Sequence, residues 1–357
     1  MRTIASTTPA AEPKSGFFGN ARHDWLALHV EETLEPERRV VDAHHHLWAR
    51  PGRPRYLIEE YAADIADSGH DIVATVYVEC HSMYRRSGPA ELQSVGEIEF
   101  ANGVAAMSES GGYGGAAICA AIVGHADLRL GARVRAVLEA QISAGNGRFR
   151  GIRHLTAWDE EAEVAGPLAG HPSHLHADPR FREGFACLEP LGLTFDAMIF
   201  QPQLFELRDL ARAFPGTTIV VNHCGGPLAV GRFAGHRDEA FAEWRDGIRA
   251  LGAEPNVMIK LGGLATRLLG TEFEDRPLPP SSQEAAAAWA PYVETCVESF
   301  GPQRCMAESN FPPDKGQCSY QVAFNALKRI AAQYTEAERE ALFAGTAAQT
   351  YRLALQA

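Results

Sequence analysis

The stretch Val40-Val41-Asp42-Ala43-His44-His45-His46 decides how the chain is read. Two β-branched residues leading into a short apolar and polar alternation predict a strand that ends in histidines. Successive side chains on a strand face opposite ways, so His44 and His46 share one face and His45 takes the other. Further along, comparable runs recur at 72–79, 116–123, 149–155, 193–200, 217–223, 256–261 and 304–310. Stretches with helical periodicity separate them, at 89–108, 129–143, 181–190, 203–214, 237–251 and 284–300, with 319–333 and 336–350 closing the chain. Strands alternating with helices predict a parallel sheet with crossover helices. Eight such runs favour a closed (β/α)8 barrel over its rival, a doubly wound open sheet.

Where the polar residues fall separates the two. His44, His46, Glu79, His154, Asp196, His223, Lys260 and Asn310 lie at or near the ends of their runs, and barrel enzymes gather their chemistry at the C-terminal ends of many strands. An open sheet concentrates its ligands at one switch point. Residues 1–38 mix Pro, Ser, Gly and charges without sustained periodicity and are expected to form an N-terminal extension, with residues 39–357 as the barrel.

Composition narrows the function. Apolar residues make up 46% and charged residues 22% of the 357, the balance of a chain that buries a large core. A formal net charge of -12 and the absence of a basic block argue against a nucleic-acid partner. No apolar run approaches the roughly 20 residues of a membrane span. Residues 1–6 lack the apolar stretch of a secretory signal. The seven cysteines are odd in number and form no CxxC, so reduced thiols and a cytoplasmic location are expected. There is no Walker sequence, HExxH or GxSxG motif.

Two imidazoles on one strand face can share a ligand. Neutral imidazole binds zinc and similar divalent ions, and a third ligand from another strand would leave a position for water. Histidines that bind substrate without a metal are the alternative. His223 abruptly follows the apolar run Ile219-Val220-Val221 and precedes Cys224-Gly225-Gly226, which suits a strand-end site. Arg153 offers a bidentate fork to a substrate carboxylate, with His154 beside it. Lys260 can bind an anion or polarise a carbonyl, or it can simply pair with Glu308 inside the barrel. Glu79 and His81 are expected to line the second strand's end. Cys80 and Cys224 each adjoin a histidine or carboxylate but should face away from it, which favours packing over nucleophilic roles.

Taken together, Asp42-x-His44-x-His46-x-Trp48, Gly151-Ile152-Arg153, Asn222-His223-Cys224-Gly225-Gly226, Lys260-Leu261-Gly262-Gly263 and Glu308-Ser309-Asn310-Phe311-Pro312 resemble the amidohydrolase superfamily, in particular its amidohydrolase-2 branch. The resemblance runs from about residue 40 to the C-terminus. It implies a distorted (β/α)8 TIM barrel, often oligomeric, that acts on small and commonly anionic carboxylated molecules. Some members hydrolyse lactones and others decarboxylate acids, with or without a divalent metal. His223 matches a histidine that in metal-using relatives is a ligand or activator, which makes His44, His46 and His223 the implied metal ligands. At the eighth strand many relatives carry an aspartate as ligand and base, whereas this chain has Asn310. An amide is no base near neutral pH, so Glu308 or Asp314 is expected to move protons and Asn310 to orient substrate. The leading expectation is a lactone hydrolase. A non-oxidative decarboxylase and a non-catalytic ligand-binding barrel are the alternatives.

Overall fold

The computed structural model describes residues 21–166 and 170–355, so residues 1–20 of the expected extension lie outside the described residues. Eight strands are present: β1 Val40–His45, β2 Ile72–Val78, β3 Ala117–Gly124, β4 Phe149–Arg153, β5 Thr194–Ala197, β6 Ile219–Val221, β7 Val257–Leu261 and β8 Cys305–Ala307. They run parallel in chain order as one 8-stranded sheet. Each strand is followed by a main crossover helix: α1 Ile58–Ser68, α2 Val95–Glu109, α3 Val134–Ala144, α4 Pro179–Phe185, α5 Leu204–Ala213, α6 Arg237–Gly252, α7 Ser282–Phe300 and α8 Tyr320–Ala331. The expected helix over 336–350 is broken into Glu336–Glu340, a π turn at Ala341–Gly345, and Thr346–Tyr351.

The barrel closes between its first and last strands. Asn310 N–H donates to His44 O (2.9 Å) and His46 N–H to Phe311 O (2.8 Å), with a parallel bridge pairing His45 and Phe311. Asp42 clamps this seam from outside. Its carboxylate accepts from Ser309 N–H (2.8 Å) and Oγ (2.6 Å), from the hydroxyls of Tyr61 on α1 (2.7 Å) and Tyr320 on α8 (2.9 Å), and from His44 N–H (3.2 Å). Strict alternation would put Asp42 on the face of His44 and His46. The register of β1 against β2 shifts between Asp42 and His45, and such an irregularity re-aims the side chains beyond it. Asp42 thereby points to the helices while His44 and His46 point inward. His45 faces out, stacked on Tyr61 and bonded to Thr75 Oγ1 (2.9 Å).

The core has two layers. Leucines, isoleucines and aromatics fill the space between strands and helices, including Ile122, Phe195, Trp244 and Phe324. A smaller interior set of Val41, Ala43, Val76, Val123, Val220 and Met306 is joined by Ala344, Ala347 and Tyr351 from the C-terminal helical segment. Burial of about 25 cal/mol per Å² of apolar surface makes these layers the main favourable term.

The residues before β1 also pack down. Thr33 Oγ1 donates to Ser68 O (2.7 Å), and Lys328 Nζ donates to Leu34 O and Glu35 O (2.9 Å each). Several strands end earlier than the apolar runs suggest, at Val78, Arg153, Ala197, Val221 and Ala307. Glu79, His154, His223, Glu308 and Asn310 therefore sit on the loops that leave the strands, where face alternation no longer holds.

Candidate active site

The inward residues of β1 meet those of β4, β5 and β7 inside the barrel mouth. Lys260 and Asp196, both fully buried, are paired at 2.6 Å, and the Tyr351 hydroxyl donates to the same carboxylate at 3.0 Å from below. Arg153 Nε donates to Glu79 Oε1 at 2.7 Å, Nη2 donates to Glu79 O, and Nη1 lies 3.3 Å from His44 Nε2. These pairs compensate two cations with two carboxylates, as buried charges require. Burial works to raise the Glu79 carboxyl, but Arg153, His81 and His125 outweigh it and hold it below the usual range.

Glu308 has no lysine or arginine of its own. It meets two histidines instead: Oε1 accepts from His223 Nδ1 (2.8 Å) and His223 N–H (3.1 Å), and Oε2 lies 3.0 Å from His44 Nδ1. That last contact is poorly aligned, so Oε2 is buried without a hydrogen-bond partner. Burial, with Lys260, His223, His46 and Arg153 nearby, pushes His44 well below the ordinary histidine range. His46 is pushed down for the same reason, chiefly by burial and then by Arg153. Both rings are therefore neutral at neutral pH, and the aligned hydrogen bond to Glu308 is the one from His223 Nδ1.

His223 reaches this position because of its neighbours. It has a left-handed φ of 54°, and a Cβ at Gly263 would lie 2.3 Å from its ring. Only glycine tolerates that approach. His223 and Asn310 line a small cavity of about 30 Å³ together with Met198, Phe200, Pro227 and Leu264. That volume is enough for a water molecule.

Not every expected site residue joins this group. Asp314 does not line the cavity; its oxygens accept from Ala265 N–H (3.1 Å) and Asn310 Nδ2 (2.7 Å), and burial pushes it well above the carboxylate range. It fixes Asn310 from outside the cavity. His154 turns toward the β3–α3 connection, where Nδ1 accepts from Leu128 N–H (3.2 Å); burial lowers it to about 3. Of the histidines after β4, His171 bonds Leu155 O, His174 pairs with Glu206, and His176 bonds Thr156 Oγ1. Lys260 pairs with Asp196, not Glu308. Tyr351 and His125 carry no local signal that would have marked them. All seven cysteines are free, and five are buried.

The donors suit a divalent ion. His44 Nε2 and His46 Nε2 lie 3.2 Å apart, close to the ligand spacing of about 3.3 Å around a tetrahedral ion with Zn–N bonds of about 2.0–2.1 Å. His46 Nδ1–H donates to Val78 O at 2.8 Å, the outer bond that turns the other nitrogen's lone pair toward a metal. His223 belongs to a neighbouring set: His44, His223 and Glu308 bring ligand atoms within 4.8 Å of one another. His44 offers Nε2 to His46 and Nδ1 to Glu308, so the three expected histidine ligands do not converge through one set of atoms.

Comparison with known proteins agrees with the fold. A curated protein of Sinorhizobium fredii, itself uncharacterised, is 29% identical over 88% of this chain and 98% of its own length. An L-fucono-1,5-lactonase of Burkholderia multivorans is 31% identical over 66% of this chain and 72% of its own. A crystal structure of a zinc-bound amidohydrolase from Burkholderia multivorans shares the fold, with a TM-score of 0.62 and 24% identity, covering 88% of this chain and 99% of that one. No helix among the described residues is long and apolar enough to cross a membrane. The family model described as amidohydrolase matches residues 41–353, and the chain belongs to that family of hydrolytic enzymes.

Proposed function

We propose that the protein opens a small lactone derived from a sugar acid, with His223 as the general base and Glu308 as the carboxylate that orients and charges it. The observation that carries this reading is the buried Glu308–His223 pair at 2.8 Å beside a cavity large enough for one water. A carboxylate bonded to Nδ1–H fixes the tautomer that leaves Nε2 free to accept a proton and stabilises the imidazolium that results.

In the first step His223 takes a proton from water as its oxygen bonds to the lactone carbonyl carbon. The tetrahedral oxyanion is met by Arg153 Nη1, which is not spent on Glu79. In the second step the ring C–O bond breaks and His223 returns the proton to the departing alkoxide, giving a hydroxy acid. A divalent ion held by His44 and His46 would supply Lewis-acid polarisation of the carbonyl oxygen. Lys260 and Asp196 keep His44 in place from below: Lys260 Nζ lies 3.4 Å from His44 Nδ1.

The substrate class follows from what Arg153 is doing. Its fork is committed to Glu79, so it does not offer two free N–H groups to a substrate carboxylate. A neutral, hydroxyl-bearing lactone suits this mouth better than the anionic substrate expected from the sequence, and the fuconolactonase relative agrees in substrate type. Free thiols fit a reducing, cytoplasmic setting.

The test is a panel of sugar-acid 1,5-lactones and carboxylated pyrones in water enriched in 18O, read by mass spectrometry. Ring opening of the neutral lactones with one labelled oxygen in the new carboxylate is the expected result. Carbon dioxide release without label, or turnover confined to the carboxylated compounds, would overturn the reading.

A further inference from the structure

A second group of ligand-bearing side chains stands at the ends of β2 and β3, and of its members only Glu79 bears on the reaction above, by holding Arg153. Glu79, His81 and His125 bring one ligand atom each to within 4.8 Å of one another. Glu79 Oε2 lies 3.4 Å from His81 Nδ1, and the His81 and His125 ring centroids are 5.2 Å apart. The 3.4 Å spacing is close to that of two ligand atoms around a small four-coordinate ion.

Three independent features point the group at a ligand. Glu79 Oε2 is fully buried and has no hydrogen-bond partner, although Oε1 of the same carboxylate is held by Arg153. An orphaned anionic oxygen is costly unless something completes it. His125 Nδ1 is 3.1 Å from Arg153 O; as donor there, it leaves the Nε2 lone pair for a metal, the outer-shell arrangement typical of metal-binding histidines. His81 adopts a left-handed φ of 58°, a strained state for a non-glycine residue that structures keep where the side chain's placement matters.

We propose that Glu79, His81 and His125 form an exchangeable site for zinc or a similar borderline divalent cation at the rim of the barrel mouth. One carboxylate oxygen and two imidazole nitrogens suit such an ion and leave positions open to oxygen atoms of water or of an entering ligand. The charge around the site says it is exchangeable. Arg153 offsets Glu79, so the three ligands hold little net negative charge, and His81 is 46% exposed to solvent. The ion would sit on the opposite side of Arg153 from His44, on separate atoms from the His44 and His46 pair.

Zinc titration of the chelator-treated full-length protein, followed by calorimetry, tests this in four forms: wild type, His81→Ala, His125→Gln and His46→Ala. The wild type is expected to take up one equivalent more than His81→Ala and His125→Gln, or to bind that equivalent at least tenfold more tightly. His46→Ala is expected to retain it. His81 is half-exposed, so its variant should keep the metal-free thermal midpoint of the wild type, and His125→Gln preserves a donor for Arg153 O. An unchanged count and affinity in His81→Ala, or loss of the same equivalent in His46→Ala, would overturn the proposal. Neither His81 nor His125 enters the ring-opening reaction, so failure here leaves that reading standing.

Discussion

Asp42 on β1 and Glu308 just beyond the end of β8 are buried carboxylates close to the barrel seam, and their surroundings differ in kind. Asp42 accepts from five donors and joins β1 to β8, α1 and α8. Glu308 faces only histidines and keeps one oxygen without a partner. A saturated carboxylate holds parts of a fold together, whereas an unsaturated one in a dry site is poised for a proton, a cation or a substrate. The same residue chemistry thus divides into structure and reaction by the count of donors around it.

The strongest way to break this comparison is at His223. His223→Ala should lower kcat/KM for lactone opening about a thousandfold, the scale of a lost general base, with little change in thermal midpoint. Glu308→Gln should cost about a hundredfold in kcat while leaving KM nearly unchanged, because an amide can position Nδ1–H but cannot stabilise the imidazolium. Asp42→Asn should do the reverse. It leaves donors of Ser309 or the tyrosines without an acceptor and should reduce unfolding free energy by about 3 kcal/mol, read by denaturant titration, with turnover per folded molecule altered far less. Comparable stability losses in Asp42→Asn and Glu308→Gln would erase the distinction.

Acid provides a finer test. Burial lowers His44 and His46 well below their usual range, takes His45, His154 and His176 to about 3, and takes His70 to about 4. The unfolded chain binds those protons below about pH 6.5, where the folded chain refuses them. Stability from these groups is therefore present above that value and lost as the pH falls. Burial raises Asp42, Asp314 and Glu97, the last to about 7 with Glu79 also contributing, and these act in the opposite direction. The histidines outnumber them, so the thermal midpoint should fall between pH 6.5 and 5, at about 1.4 kcal/mol per pH unit for each uncompensated group. A midpoint that is flat or rising over that range would refute the balance. The smallest effect is expected for Tyr351→Phe, which removes the hydroxyl from Asp196 and should cost about 1 kcal/mol while leaving the Lys260 pair in place.

Much of the architecture is written locally. The β-branched runs and the helical periods between them give the eight units, and the histidines at the end of β1 point inward as their spacing implies. What local pattern does not carry is pairing across the barrel. Arg153 looks like a free anion fork until Glu79, 74 residues away, is seen to occupy it. Asp314 and Glu308 look equally fit as bases until the fold puts one behind Asn310 and the other against His223. Alternation itself misleads at Asp42, because the irregular register of β1 turns that side chain toward the helices. His125 stands alone after Gly124 with no motif around it, and only the meeting of β2, β3 and β4 gives it neighbours.

The seam has a consequence for how the chain finds its fold. Ser309 and Tyr320 reach Asp42 across 267 and 278 residues of sequence, so closure is among the least local events in the molecule and bears a large loop-ordering entropy. Until it happens, β1 and β8 are both open sheet edges, ready to pair with another chain. A weakened clamp would then show itself first as aggregation during refolding at high protein concentration, before any loss of activity in the molecules that had already closed.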